Sequence, residues 1–373
     1  MSNAPQTRPE LASLGDYVPG KSIDEVRAKY GLATVVKLAS NENPLGPAPR
    51  AAAAALHALA DAHRYPQGNA PALTRALAGF LGIPGEKLVF SNGSDEMIQM
   101  IAEAWIAPGS EVLICEPTFS EYRFAAQLAG ATVRALPLKE GRYDARALAE
   151  AVSAKTAAVF VCNPNNPTGG WLGREELLGL LDALPPRVLL VVDQAYGEFA
   201  RAAGAEDYDD LLDQTDRPNL LLLRTFSKLY GLAGLRVGYA IGAPSLVRAL
   251  YKVKQPFNVG LVSQAACVGA LEDIEHQQRS LRLVGEGMAF LRGLFAEWGW
   301  TVLPSAANFL AVRPSEGDAA DLVETLERQG VILRSMKSFG MPDFFRITVG
   351  TKSENAEFAR LAGAWRDARR NAE

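Results

Sequence analysis

The chain has 373 residues, 48% hydrophobic and 21% charged, with a formal net charge of −4 and a pI near 5.7. At roughly 150 residues per domain the length predicts two or three domains, with the composition of an ordinary soluble globular enzyme able to bury a large core without disulfides or metal. A disordered or collagen-like chain is excluded, and no basic surface recommends nucleic acid or an anionic membrane as a partner.

In chain order, the first residues carry no apolar stretch of the kind that heads a secretory signal. Gly31 closes a short helix, and residues 34–39 (TVVKLA) predict a strand. The alanine-rich residues 50–61 predict a helix ending at the Arg64-Tyr65-Pro66 turn. Short apolar strands follow at 88–90, 111–115, 157–161, 188–192, 220–223 and 236–241, separated by amphipathic helices or Gly/Pro/Asn-rich loops. Near-continuous apolar strands alternating with helices predict a mainly parallel sheet covered on both faces. After about Gly260 a long helical stretch, 262–298, leads into shorter strands at 308–312, 331–334 and 345–349, the texture of a second, smaller α+β domain. The N-terminal forty residues are too few for a domain and are expected to pack on this C-terminal part. The expected division is a large domain at 45–258 and a small one formed by 1–44 and 259–373. None of the apolar runs is long enough to span a bilayer. Cys115, Cys162 and Cys267 are odd in number and far apart, which predicts reduced, mostly buried thiols in a cytoplasmic protein. His57, His63 and His276 have no metal-ligand spacing, so no metal site and no histidine-based triad is expected.

Gly15 to Ser22 (GDYVPGKS) fits the phosphate-binding P-loop pattern, and residues 189–193 (LLVVD) could serve as its partner strand, which would make a P-loop NTPase. The residues before Gly15 are a poor buried strand, however, and Ser22-Ile23-Asp24-Glu25 reads equally as a helix capping box. The match is read as accidental.

Three other segments converge. In Phe90-Ser91-Asn92-Gly93-Ser94-Asp95-Glu96 a strand meets a helix through a glycine turn, offering backbone N–H groups to a phosphate, although Ser94 or Asp95 as a plain N-cap fits the same residues. Asp193 ends a buried strand, where open α/β sheets place their ligands. Lys228 follows another strand in Thr225-Phe226-Ser227-Lys228, with Arg236 eight residues on in a glycine-rich, apolar stretch. A lysine, a strand-end carboxylate and a cradle of helix N-terminus, serine and arginine together describe a pyridoxal phosphate site: the amine forms a Schiff base, and the carboxylate keeps the pyridinium nitrogen protonated.

With Asn163-Pro164-Asn165-Asn166-Pro167-Thr168-Gly169, Asp193-x-Ala195-Tyr196 and Ser227-Lys228 before Gly234-Leu235-Arg236, the chain resembles fold-type-I aminotransferases over most of its length. Ala39-Ser40-Asn41-Glu42-Asn43-Pro44, Arg64-Tyr65-Pro66 and Arg346-Ile347-Thr348-Val349-Gly350 narrow the resemblance to the histidinol-phosphate aminotransferase branch; aromatic aminotransferases and threonine-phosphate decarboxylases share the frame. The resemblance implies a three-layer α/β/α large domain, aspartate-aminotransferase-like, with a smaller α+β domain, and exchange of an amino group between histidinol phosphate and 2-oxoglutarate in a homodimer with shared active sites. Lys228 would be the Schiff-base lysine and proton shuttle, and Asp193 the partner of the pyridine nitrogen. Tyr196 and Asn166 would bond the ring hydroxyl, and Phe119 would stack on the ring. Ser94, Asp95, Thr225, Ser227 and Arg236 would hold the phosphate, with Tyr65 reaching the phosphate of the neighbouring subunit. Arg346 and Arg334 would take the substrate's anionic end, with Tyr17, Asn43 and Asn308 nearby. Gln194 stands where many relatives carry Glu, and Phe119 and Phe257 where some carry Tyr.

Overall fold

A computed structural model describes residues 7–15 and 20–371. Strand β1 (Val36–Lys37) is followed by β2 (Leu88–Ser91), β3 (Glu111–Glu116), β4 (Thr132–Pro137), β5 (Thr156–Cys162), β6 (Leu189–Asp193), β7 (Leu220–Thr225) and β8 (Gly238–Gly242). The last seven form one sheet in the order β2-β8-β7-β6-β5-β3-β4. Every residue of β2, β6, β7 and β8 is buried, as sheets covered by helices on both faces require. The edge strand β4, with Arg134 in it, is largely exposed, so no apolar run marks it in the sequence.

The sheet is parallel except for β8, which runs antiparallel to both neighbours. Residues 226–237 connect β7 to β8 with one 3₁₀ turn and no covering helix, so the chain folds back as a hairpin instead of crossing over. This reversal positions the site. The start of β8 stands at the C-terminal edge of β7, and β2, antiparallel to β8, ends at that edge as well: Thr225 and Ser91 both register with Gly238. The loops carrying Gly93, Asp193, Lys228 and Arg236 therefore open on the same side.

Beyond the main sheet, β9 (Thr301–Val302), β10 (Phe309–Arg313), β11 (Val331–Ile332), β12 (Arg334–Ser335) and β13 (Phe345–Thr348) build two smaller sheets. One is antiparallel in the order β12-β13-β10-β9; in the other β1 and β11 pair in parallel. The expected strand at 331–334 is thus two short strands serving different sheets. The expected strand at 34–39 is cut to two residues because Leu38 changes partners: its N–H donates to Ile332 O (2.9 Å) while its carbonyl accepts from Thr348 N (2.8 Å). The expected helix at 262–298 is two, Leu261–Glu272 and Ile274–Trp298, broken at Asp273, whose carboxylate caps the second through His276 N. Arg236 precedes β8 in the left-handed region (φ 52°) instead of opening the strand.

From residue 20 on, the N-terminal segment packs on the C-terminal part as expected, whereas the turn at Pro9–Ser13 lies instead on helix Ser120–Leu128, with Arg8 Nη2 donating to Leu128 O (3.0 Å). Helix Ile23–Tyr30 lies on helix Ala319–Arg328, and Lys21 Nζ reaches the buried Glu327 carboxylate at 2.6 Å. Ser22 and Glu25 form a reciprocal capping box, which accounts for the end of the P-loop-like match. Among the described residues no helix is long and apolar enough to cross a membrane.

Candidate active site

The loops at the C-terminal edge of the main sheet enclose a cleft that opens to solvent. Its walls include Ser94, Asp95, Phe119, Asn166, Asp193, Tyr196, Thr225, Ser227, Lys228 and Arg236, that is, all the cofactor-binding residues expected from sequence except Tyr65.

At one end, helix Gly93–Trp105 starts at Gly93, with Asn92 as N-cap and no side chain capping it. Ser94 and Asp95 therefore lie inside the first turn instead of capping it, and first-turn N–H groups have no intrahelical carbonyl to meet. Arg236 leans across this turn. Its Nη2 donates to Asp95 Oδ2 (2.9 Å), and its Nη1 donates to Ala233 O (3.0 Å) and Ser227 Oγ (3.4 Å). A Cβ on Gly93 would stand 2.4 Å from Arg236 Nη2 and displace that guanidinium, and Gly93 has φ +78°, a backbone conformation that favours glycine. Thr225 Oγ1 accepts from Ser227 N (3.0 Å) and fixes the turn that presents Ser227.

In the middle, the Lys228 amine donates to Ser40 O (3.2 Å) and lies 5.7 Å from the centre of the Tyr196 ring. Burial, reinforced by Arg346 and Arg236 and opposed by Glu42 and Asp95, lowers its pKa to about 8, so about a tenth of it is neutral at pH 7. Asp193 is buried on β6, and burial raises its pKa to about 6 against the pull of its hydrogen bonds. Oδ1 accepts from Ala195 N (3.0 Å) and Oδ2 from Tyr122 OH (2.7 Å). Phe119, the residue before helix Ser120–Leu128, forms one wall and meets Tyr122 edge to face.

Behind Asn166, and not itself among the lining residues, Arg346 on β13 is buried against the Phe309 ring. Its Nη2 donates to Ala39 O (2.6 Å) and its Nη1 makes a short bond to Asn166 Oδ1, while Nε has no partner among the described residues. Burial and Arg334, its direct partner across the β12–β13 ladder, lower the Arg346 pKa to about 10 despite the opposing effect of Tyr196, which still leaves it charged at neutral pH. Asn308, also buried, donates to Asn41 O (3.2 Å), and its Oδ1 is likewise unpartnered among the described residues.

Some expected residues are placed elsewhere. The Asn43 amide is spent on Leu229 O (2.7 Å), Ser280 Oγ (2.9 Å) and Leu45 N (3.0 Å), and Asn43 does not line the cleft. Its neighbour Asn41 takes the inner position: in the left-handed region (φ 57°), it donates from Nδ2 to Tyr196 OH (2.9 Å) and exchanges hydrogen bonds with Thr348. The first asparagine in Ser40-Asn41-Glu42-Asn43 was the available signal. Tyr122 was also unread; its spacing of three from Phe119 puts the two on one helical face. Tyr65 is 83% exposed, stacked on Phe257 with ring centres 4.9 Å apart, outside the cleft of its own chain. Arg334 lies over the Phe339 ring (5.5 Å). Tyr17 lies outside the described residues.

The donors suit pyridoxal phosphate: an arginine, hydroxyls and a helix N-terminus for a dianion, a cradle that a Cβ would fill, a lowered-pKa amine for an aldehyde, and a buried carboxylate for a protonated ring nitrogen. The sequence profile of aminotransferase classes I and II matches residues 33–361. The chain belongs to this aminotransferase family. Its relatives include the histidinol-phosphate aminotransferase of Moorella thermoacetica, 43% identical over 96% of this chain and 93% of that one. That of an Anaeromyxobacter species is 44% identical over 96% and 100%. Among solved structures, the histidinol-phosphate aminotransferase of Sinorhizobium meliloti in complex with pyridoxal-5'-phosphate superposes with a TM-score of 0.89 at 27% identity, covering all of both chains. The L-threonine-O-3-phosphate decarboxylase of Porphyromonas gingivalis gives 0.78 at 26% identity, over 89% of this aminotransferase and all of that chain.

Proposed function

We propose that this aminotransferase uses pyridoxal phosphate to exchange an amino group between L-histidinol phosphate and 2-oxoglutarate, a step of histidine biosynthesis. The observation that carries the reading is a lysine in a cleft with a phosphate-type cradle, close enough to a second, buried arginine beside the cleft to feel its charge. Near-full-length relatives at 41–44% identity that are histidinol-phosphate aminotransferases support this substrate over phosphothreonine.

Pyridoxal phosphate, when bound, supplies an aldehyde for the amino group and a ring that withdraws electrons from the substrate Cα. The first-turn amides at Ser94 and Asp95, with Thr225, Ser227 and Arg236, would hold its phosphate. Asp193, ionised at neutral pH, would face the ring nitrogen and hold a proton there; Tyr196 and Asn166 would bond the ring hydroxyl, and Phe119 would cover one ring face. The neutral fraction of Lys228 is the nucleophile, and the same nitrogen carries the proton that leaves Cα. Arg346 would bind the phosphate of one substrate and a carboxylate of the other, since a guanidinium fork suits both. Its unpartnered Nε and the unpartnered Asn308 Oδ1 leave hydrogen-bonding capacity at that end for a ligand. Arg334 completes that end in our reading.

We read the active form as a homodimer: exposed Leu56, Tyr65 and Phe257 present apolar surface to a second copy, and Tyr65 would reach the partner's phosphate site. The chain divides, in this reading, into a large unit at 45–258 and a small one from 1–44 and 259–373. The test is a half-reaction. Histidinol phosphate added alone to the holoenzyme should convert the visible cofactor absorbance to the near-ultraviolet amine form, and 2-oxoglutarate should restore it. No spectral change with histidinol phosphate would refute the assignment.

A further inference from the structure

The hydroxyl of Tyr122 makes the shorter of the two hydrogen bonds to the Asp193 carboxylate (2.7 Å against 3.0 Å from Ala195 N). The ring is fully buried, stacked on Phe160 with centres 5.0 Å apart and edge-on to Phe119 at 5.7 Å. Those contacts leave it a single orientation. Phe119 sits at the cap of helix Ser120–Leu128 and Tyr122 one turn in, so the element that supplies the wall of the cleft also supplies the donor. The preceding loop is itself fastened: Thr118 Oγ1 donates to Asn165 Oδ1 (2.8 Å) and shares a hydrogen bond with Tyr143 OH (2.7 Å), whose oxygen also accepts from Cys162 N (3.2 Å).

We infer that Tyr122 is a positioning residue for the reaction: by donating to Oδ2 it fixes the buried Asp193 carboxylate and keeps it ionised. The inference rests on the reading that Asp193 faces the cofactor's ring nitrogen. The groups around the carboxylate are Tyr122 from the helix, Cys162 from β5, Asp95 from helix Gly93–Trp105, Tyr196, and Lys228 from the β7–β8 loop. Burial and Asp95 push Asp193 toward its neutral form. The Tyr122 hydroxyl is the largest influence in the other direction, ahead of Ala195 N and Lys228. A phenol held up in pKa by burial stays protonated, so toward the carboxylate it is the donor. Without it, Asp193 would keep a proton to higher pH and could not hold a positive charge on the ring.

The test is Tyr122→Phe, which keeps the ring between Phe160 and Phe119 and removes only the hydroxyl. In full-length chain with ¹³C-labelled aspartate carboxyls and no cofactor added, the Asp193 signal is assigned by its loss in Asp193→Asn. Its midpoint should rise by about one pH unit or more in Tyr122→Phe, the scale set by a hydrogen bond to a charged group. In the holoenzyme the acid limb of kcat should move up with it, while KM for the amino donor changes by less than about twofold. An unmoved midpoint overturns the inference, and so does a fall in kcat that is equal at every pH, the mark of a packing defect. A holoenzyme indifferent to Asp193→Asn would be the failure of the Asp193 reading instead. The carboxyl midpoint tells the two apart, because it reports on Tyr122 alone.

Discussion

Arg236, in the wall of the cleft, and Arg346, which meets the cleft through Asn166, are in different states. Arg236 is part-exposed and paired with Asp95, its Nη2 and Nη1 each satisfied by this chain's own oxygens. Arg346 is buried, faces a second arginine across the β12–β13 ladder, and keeps Nε unpartnered among the described residues. A half-solvated ion pair can exchange one anion for another at little electrostatic cost, which suits a group that binds and stays. A desolvated cation without a counter-ion gains most when an anion arrives, which suits a substrate that must be selected and released. The Arg236 end is therefore fixed by backbone geometry at Gly93, and the Arg346 end by unmet charge.

The largest effect should come from between the two ends. Lys228→Ala should lower transamination by at least about a thousandfold, since it removes both nucleophile and proton carrier, while the Arg236 end goes on binding cofactor. Steady-state rates and equilibrium dialysis with pyridoxal phosphate check the two halves, and retained turnover would place the reactive amine elsewhere. Asp193→Asn should cost about a hundredfold or more in kcat, because charge develops on the ring as Cα loses its proton. The same change should raise the melting temperature of cofactor-free protein at pH 7–8. The sign follows from linkage: a folded pKa of about 6 lies above the unfolded value near 3.8, so the wild type is stabilised by the retained proton at low pH and loses that contribution as pH rises through 6. A melting temperature that falls instead would mean that Asp193 is a structural anchor.

Arg346→Lys keeps the charge but loses the fork, and should lower kcat/KM about tenfold or more for histidinol phosphate and for 2-oxoglutarate. The phosphate-bearing donor should suffer at least as much. Arg236→Lys should differ in kind, raising the Kd for pyridoxal phosphate with the discrimination between donors unchanged. If both lysine variants moved the same parameter, the contrast between the two ends would collapse. The smallest effect concerns the dimer. Tyr65→Ala should cost only several-fold on its own. Mixed with Lys228→Ala subunits, it should give dimers in which one site regains both Tyr65 and Lys228, and a rise in activity on mixing and refolding measures that sharing.

The strands of the main sheet could be read because burial on both faces leaves an apolar run with nothing to interrupt it, as in 188–192 and 220–223. Strand β4 was silent because an exposed edge needs no such run. The residues around the cofactor end were legible because each sits in a short motif beside a strand end, where the local chain alone fixes what it faces. The Arg346 end depends on contacts between segments some three hundred residues apart, such as Thr348 with Asn41. Spacing could not decide between Asn41 and Asn43 there, since the choice follows from the left-handed turn at Asn41 and from Leu38 changing partners. Tyr122 was hidden for a related reason: a buried aromatic on a helix reads as core until its hydroxyl is seen to meet a carboxylate.

The central claim is the identity of the amino donor, and kcat/KM over a donor panel tests it most directly. With 2-oxoglutarate as acceptor, the purified holoenzyme should use L-histidinol phosphate at least tenfold better than phenylalanine, tyrosine or phosphothreonine, with one glutamate formed per donor consumed and no carbon dioxide released, a preference of roughly 1.4 kcal/mol or more in transition-state binding. Higher kcat/KM for an aromatic amino acid, or carbon dioxide released from phosphothreonine, would contradict it.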